Sequence, residues 1–279
     1  MRLLALNAYR ALGIPGVRYL KPELLYSRLD EVRAADWVLF PEYWQVNSLI
    51  YPLRKRIFPN PASYHLGHDK IEMTRAFWSA CPEHVPQTLI LASGETAMDE
   101  ILDQLDLPLV AKEPRNSRGQ GVFLIETRSA LRDYIARHEV LYLQERLPIQ
   151  RDLRVVWVGD RVIAAYWRIA PEGGFHNNVA QGGSISFEDV PETALQLVER
   201  VARQLGVNHA GFDLAEVAGH YYFLEFNTMF GNEALNQRGI QVGRHIYEYL
   251  LSQPQTPPVV PPNHPPSQPP VHPPLLRAS

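Results

Sequence analysis

Two runs near the end of the chain, Ala210-Gly211-Phe212-Asp213-Leu214 and Phe223-Leu224-Glu225-Phe226-Asn227, constrain the fold more than any other stretch. Both are apolar apart from acids and an amide at alternating places. The pattern predicts two paired strands, Ala210–Val217 and Tyr221–Phe226, turning around Gly219. Side chains at i and i+2 of a strand share a face, so Asp213, Glu225 and Asn227 are expected to meet on one side of the pair. Three hard oxygen donors with no histidine or cysteine suit Mg²⁺ shared with phosphate oxygens. Two carboxylates so close together in apolar surroundings would be unfavourable without such a cation. The bland alternative is a hairpin with solvent-facing acids.

Three earlier segments carry weaker signals. In Leu109-Val110-Ala111-Lys112 a strand delivers a lysine, and a polar loop with Ser117, Gly119 and Gly121 leads into a further strand. Such a loop lets backbone N–H groups approach phosphate oxygens beside a point charge. It is not a Walker A loop, because no Gly-Lys-Ser/Thr opens a helix, and alone it reads equally well as a surface hairpin. Leu141-Tyr142-Leu143-Gln144-Glu145-Arg146-Leu147-Pro148 is a strand whose polar end could offer backbone groups to a base edge, or an ordinary strand end. In Asp152-Leu153-Arg154-Val155-Val156, Arg154 points away from its apolar neighbours. Arg168 is isolated in another strand-like run, and Asn178 lies in a loop from Gly173 to Gly183. Two arginines and an asparagine beside a glycine-rich loop suit a phosphoryl group in transfer.

The remaining pattern is mixed α/β. Residues 1–65 read as a small α/β unit with strands at Leu3–Leu6, Trp37–Phe40 and Arg56–Phe58, and Asp30–Ala35 helical between them. Lys70–Ser79, Ser93–Leu105, Ser129–Arg137, Pro191–Leu205 and Gly239–Leu251 have helical spacing, and Leu89–Leu91, Leu107–Lys112, Gly121–Ile125 and Val140–Leu143 read as strands. Leu153–Val158 and Arg161–Tyr166 flank the turn pair Gly159-Asp160 as a hairpin. The chain of 279 residues, 46% of them hydrophobic, can build two or three packed lobes.

Net charge of −3 implies no general attraction to nucleic acid or anionic lipid. The single cysteine, Cys81, excludes an intramolecular disulfide and reads as a buried structural thiol. The first residues form a strand pattern rather than a secretory signal, and no run approaches a membrane span, so a soluble cytoplasmic protein is the default expectation. From residue 253 onward Pro-Pro pairs recur at 257, 261, 265, 269 and 273, a composition that excludes helix and central strand and suits a polyproline II arm, either a spacer or a docking segment.

In this order, these segments resemble the ATP-grasp ligases, and the RimK-like glutamate ligases most closely. The likeness covers roughly residues 66–251. It rests on Lys112 with Gly119 to Gly121, Gln144-Glu145, Asp152-Leu153-Arg154, Arg168, Asn178 with Gly182-Gly183, Ala210-Gly211-Phe212-Asp213 and Glu225-Phe226-Asn227. His68-Asp69-Lys70 also resembles the family's first nucleotide lysine, followed by a helix and a Val-Pro-x-Thr stretch.

The resemblance implies an α/β (α+β) ATP-grasp fold, with subdomains over 66–143 and 144–252 clamping ATP. A short pre-grasp unit over 1–65 would precede them and a proline-rich tail over 253–279 would follow. It further implies that Lys70 and Lys112 hold the α- and β-phosphates and that the loop with Ser117, Gly119 and Gly121 closes over the triphosphate. Gln144, Glu145 and Leu147 would bind adenine, and Asp152 the ribose. Asp213, Glu225 and Asn227 would hold two Mg²⁺, with Mn²⁺ as a substitute, while Arg154, Arg168 and Asn178 would steady the γ-phosphoryl group and the acyl phosphate.

The implied reaction joins a carboxylate to an amine, an amino acid or peptide, through an acyl phosphate. A silent nucleotide-binding scaffold and a kinase-like transfer to a hydroxyl are the alternatives. The implied partners are ATP and the two substrates, with no nucleic acid and no membrane; assembly as a homo-oligomer stays open. Met229-Phe230-Gly231 keeps only the glycine of the family's usual Pro-Gly, and His176 and Gln181 stand where RimK-like enzymes tend to carry arginines. The second departure leaves the identity of the amine open.

Overall fold

The computed structural model describes residues 1–116, 121–169 and 184–254, and the strands among them form three sheets. The first sheet belongs to the N-terminal unit. Its elements are β1 (Leu3–Ala5), β2 (Val17–Tyr19), α1 (Leu29–Ala34), β3 (Trp37–Leu39), α2 (Tyr43–Ile50), β4 (Arg56–Phe58) and α3 (Pro61–His68). All four strands run parallel in the order β2-β1-β3-β4. A parallel sheet is covered on both faces, and the middle strands are accordingly apolar throughout. Leu4, Val38 and Ile57 pack with Val32, Val46 and Leu49 of the two helices. Leu3, Ala5, Trp37 and Phe58 turn the other way, onto the C-terminal half of the chain. The sequence pattern misses β2, α2 and α3, which are short and partly exposed.

At Asp69 the chain breaks direction. The Asn60 side chain caps α3 by accepting from Ser63 N at 2.9 Å, with Pro61 as the first helical residue. Asp69, extended at φ −136°, then caps α4 (Lys70–Ala80) by accepting from Ile71 N at 2.8 Å. Lys70 is thereby the first residue of a helix.

The second sheet comprises β5 (Thr88–Ala92), β6 (Leu109–Lys112), β7 (Val122–Ile125) and β8 (Val140–Glu145), in the antiparallel order β5-β8-β6-β7. Helices α5 (Ala97–Leu102) and α6 (Arg128–Ile135) cover one face, burying Leu109, Ala111, Leu141 and Leu143. The expected helix from Ser93 is shorter, because Ser93 N donates to Glu139 O at 2.9 Å and continues the strand pairing past β5.

The third sheet, β11-β10-β9-β12-β13, is antiparallel and contains β9 (Arg151–Val158), β10 (Arg161–Ile169), β11 (Ser184–Ser186), β12 (His209–Val217) and β13 (His220–Asn227). Both expected hairpins are present, β9 with β10 and β12 with β13. Helix α7 (Glu192–Leu205) buries Ala194, Val198, Val201 and Ala202 on it and ends at Gly206, whose φ of +67° suits a glycine. Helix α4, grouped with the segment 66–143 in the sequence, packs on this third sheet instead: Met73, Phe77 and Cys81 join Leu153, Val155, Phe212 and Phe223. Helices α8 (Glu233–Gln237) and α9 (Val242–Ser252) close the C-terminal half against the N-terminal sheet. Among the described residues no helix is long and apolar enough to cross a membrane.

Candidate functional site

The second sheet leaves one face that no helix covers with apolar side chains. The face of the third sheet opposite α4 and α7 is covered by α8 and α9 around Val156, Val158 and Tyr166 and carries charged side chains beyond them. Alternation along β9 sends Leu153, Val155 and Trp157 into the core under α4 and α7, and puts Asp152 and Arg154 on the opposite face. Register then sets Arg154 beside Tyr166 of β10 and Asp213 of β12, and Asp213 beside Glu225 of β13. Arg154 donates to Asp213 twice, from Nε to Oδ1 and from Nη2 to Oδ2, the latter at 2.9 Å. Arg168 bridges the two acids, with Nε 2.6 Å from Asp152 Oδ1 and Nη2 3.0 Å from Asp213 Oδ2. The absent side chain of Gly211 makes room for this network. A Cβ there would stand 2.9 Å from Arg154 Nη1 and 3.1 Å from Phe230 Cβ.

Burial governs the charges. It pushes the Asp152 carboxyl up to about 6, with the neighbouring Asp213 charge adding to the effect and Arg168 opposing it. Burial acts upward on Asp213 as well, but the two guanidiniums outweigh it and hold that carboxyl below its ordinary value. The expected metal donors are therefore adjacent but not equivalent. Asp213 is engaged by both arginines, whereas Glu225 accepts from Asn227 Nδ2 at 3.0 Å and faces Lys70 Nζ at 3.7 Å. The chemistry of the set, two carboxylates and an amide on adjoining strands, fits a hard divalent cation. No group of three His, Cys, Asp or Glu side chains among the described residues is already drawn together as ligands.

The second sheet faces this network. Lys112, at the end of β6, is buried with Nζ 2.7 Å from Gln144 Oε1 and 5.8 Å from the centre of the Tyr142 ring. Burial lowers its ammonium to about 8; Glu225 and Asp213 favour the charge, and Lys70 opposes it. Lys70 reaches the same region from α4, where its Nζ donates to the Asn116 carbonyl. Its backbone N donates to Pro114 O at 2.9 Å, tying α4 to the chain that leaves β6. Gly121, at φ +69°, returns that chain into β7 and accepts from Glu113 N at 2.7 Å.

The other expected positions are partly accounted for. Glu145 ties β8 to Gln87, its Oε1 accepting from Gln87 N at 2.7 Å. With Arg146 and Pro148 it lines a cleft of about 520 Å³ together with Gln87, Leu105 and Pro108, apart from the two lysines. The Leu147 carbonyl accepts from Ile149 N at 2.9 Å. Asp152, expected at a ribose, is buried against Arg168, its direct cross-strand neighbour. Ser117, Gly119, Asn178, His176, Gln181 and the proline-rich tail lie outside the described residues.

Thr74 and Asn116 carry no signal in the sequence, and Thr88 enters only as the last residue of the Val-Pro-x-Thr stretch. Asn116 touches Lys70 of α4, Thr88 touches Gln144 across β5 and β8, and Thr74 of α4 meets the Tyr142 hydroxyl beside Lys112. Each contact joins distant parts of the chain, and no spacing in the sequence announces it.

Two sheets facing each other across buried lysines, with acids and arginines on the far side, define an ATP-grasp architecture. A solved RimK-domain ATP-grasp protein from Sphaerobacter thermophilus has the same fold, with a TM-score of 0.66 at 17% identity over 89% of this chain and 99% of that one. Residues 75–250 match the model of the RimK-like ATP-grasp domain, and the chain belongs to that family. Among curated relatives, a probable alpha-L-glutamate ligase of Stenotrophomonas maltophilia is 32% identical over 54% of this chain and 56% of its own length. A beta-citrylglutamate synthase B of Danio rerio is 32% identical over 54% of this chain and 39% of its own. The matched part thus spans about half the length of these relatives or less.

Proposed function

We propose that this protein is an ATP-dependent carboxylate–amine ligase that forms an amide bond through an acyl phosphate. The observation that carries the reading is the convergence of Lys70 from α4, Lys112 from β6 and Glu225 from β13 at one cleft beside the Arg154–Asp213–Arg168 network. Membership of the RimK-like family supports it.

A carboxylate repels an attacking nucleophile and is a poor electrophile. Attack of its oxygen on the γ-phosphorus of ATP expels ADP and leaves a mixed anhydride. The amine then attacks the carbonyl carbon, phosphate departs with the C–O bond, and the amine gives up a proton. Lys70 and Lys112 are suited to the nucleotide phosphates as buried point charges. Arg154 and Arg168, already oriented by Asp213 and Asp152, are suited to charge that develops on the transferring group without further reorganisation. Glu225 and Asn227, with Asp213, would hold Mg²⁺ or Mn²⁺, which supplies Lewis-acid polarisation when bound. We assign two such ions, adenine to the backbone at the end of β8 along Gln144, Glu145 and Leu147, and closure over the triphosphate to the loop with Ser117, Gly119 and Gly121. Asn178 joins the arginines at the γ-phosphoryl group.

The names of the curated relatives make glutamate the first amine to try. The acceptor is a peptide, a protein or a small carboxylate.

The test is ADP release with Mg²⁺ and ATP across a panel of acids and amines, glutamate first, with product masses and hydroxylamine trapping. The expected result is ADP release that needs an acid and yields its hydroxamate. ATP binding without any hydroxamate would point to a scaffold or a kinase-like transfer, and failure to bind ATP at all would remove the reading.

A further inference from the structure

Thr88, Gln144 and Lys112 come from three neighbouring strands and share one face of the second sheet. Thr88 on β5 is the register partner of Gln144 on β8, which pairs in turn with Val110, two residues before Lys112 on β6. Lys112 is therefore diagonal to Gln144, within reach of a long side chain. Gln144 is 3% exposed and Lys112 8%, so their polar atoms must be satisfied within the protein.

The resulting chain has a fixed direction. Thr88 Oγ1 donates its proton to Pro86 O at 2.7 Å, which leaves the hydroxyl oxygen to accept from Gln144 Nε2 at 2.8 Å. Gln144 Oε1 then accepts from Lys112 Nζ at 2.7 Å. Turning the amide over would set an NH₂ against an ammonium, which has only donors, and an oxygen against a hydroxyl whose proton is already placed. The amide orientation thus follows from the Pro86 carbonyl outward, through Thr88.

An amide so held is poorly disposed to read a nucleotide base, since its oxygen is engaged by the lysine. We propose that Gln144 is a positioning residue for Lys112, pinned by Thr88, which holds the buried ammonium toward the nucleotide phosphates rather than selecting the base. The inference rests on the nucleotide site of the proposed function, but its first test does not require nucleotide.

The chain contains four lysines, Lys21, Lys55, Lys70 and Lys112. Carbon-13 NMR of their Cε resonances in the full-length protein, assigned by single Lys→Arg changes, gives the titration midpoint of each. Thr88→Val removes the pin, Gln144→Leu removes the acceptor, and Thr88→Ser restores the hydroxyl. Without its acceptor the ammonium is less favoured, so the Lys112 midpoint should fall by about half a unit to one unit in Thr88→Val and Gln144→Leu. It should stay at the wild-type value in Thr88→Ser, with Lys21 unmoved throughout.

In the second arm, each disruptive variant should weaken ATP binding about fivefold, with the double variant no worse than the more affected single one. The preference for ATP over GTP should be unchanged. A Lys112 midpoint indifferent to Thr88→Val, or a Gln144→Leu protein with an altered ATP-over-GTP preference, overturns the proposal. Wild-type protein that binds no ATP would instead remove the nucleotide reading, while the titration still decides whether the chain acts on Lys112. Should Gln144→Leu fold poorly, the Thr88→Val and Thr88→Ser pair decides alone.

Discussion

Arg154 and Asp213 sit directly across from each other on β9 and β12, and the guanidinium grips both oxygens of the carboxylate where neither residue reaches bulk water. On the proposed function a buried pair of this kind would couple stability to chemistry, because the contact that fixes the arginine also neutralises a carboxylate in the core of the cleft.

Removing one partner should be worse than removing both. Arg154→Ala leaves Asp213 buried with only Arg168 for company and is expected to destabilise by about 3–5 kcal/mol. Replacing both, as Arg154→Met with Asp213→Leu, should recover most of that stability and none of the activity. Urea unfolding of the two single variants and the double variant measures the difference. Equal stability in single and double variants would show that the pair is not coupled.

Glu225 should behave differently from Asp213. Its side chain is 31% exposed and its partners are Asn227 and, at 3.7 Å, Lys70. Glu225→Ala should therefore abolish ligase turnover with a stability change within about 1 kcal/mol, whereas Asp213→Ala should lose both turnover and stability. Melting temperatures set beside turnover separate the two; an active Glu225→Ala protein would remove Glu225 from the metal set.

His209 should give the fold an acid limit. The ring is buried between Phe40, Phe58 and Phe230, with Nδ1 2.7 Å from Thr228 O. Burial lowers its pKa from 6.5 to about 3. The unfolded chain therefore binds a proton that the folded one refuses between those values. The stability this group contributes is complete above about pH 6.5 and should be lost at about 1.4 kcal/mol per pH unit as pH falls below it. His209→Phe should show a shallower fall over the same window in urea titrations from pH 7 to pH 4.5. A parallel slope would mean that His209 titrates normally in the folded protein.

Gly211 should be a sensitive position although it carries no chemistry. Alanine there would press on Arg154 Nη1 and on Phe230, at 2.9 and 3.1 Å. Because Arg154 is held by Asp213, it cannot simply swing aside. Gly211→Ala is expected to destabilise by about 1–3 kcal/mol and to lower kcat more than it weakens ATP binding. Wild-type turnover in this variant would show that the arginine has another place to stand.

Legibility in the sequence followed the range of the interactions. The hairpins around Gly159 and Gly219 were readable because alternation and turn residues are local, and strand pairing then sets Asp213 opposite Glu225. α7 was readable from its apolar stripe. β2, with three residues, and the short α2 and α3 have too few periods to stand out, and their burial depends on partners far along the chain. The end of α5 was overdrawn because Ser93 looked like a cap, while its N–H is taken by Glu139 from a distant turn.

What the residue order determined by itself was the longer strands, the face on which their charged side chains lie, and the order of segments that marks the RimK-like family; all of these are period-two or near-neighbour properties. Only the tertiary structure decided that α4 lies on the third sheet, that Asp213 is gripped by Arg154 and Arg168, and that Gln144 holds Lys112. The reason is that a buried charge or amide takes the partner that packing brings within about 3 Å, and that partner lies on another strand or helix, at a separation no local pattern encodes.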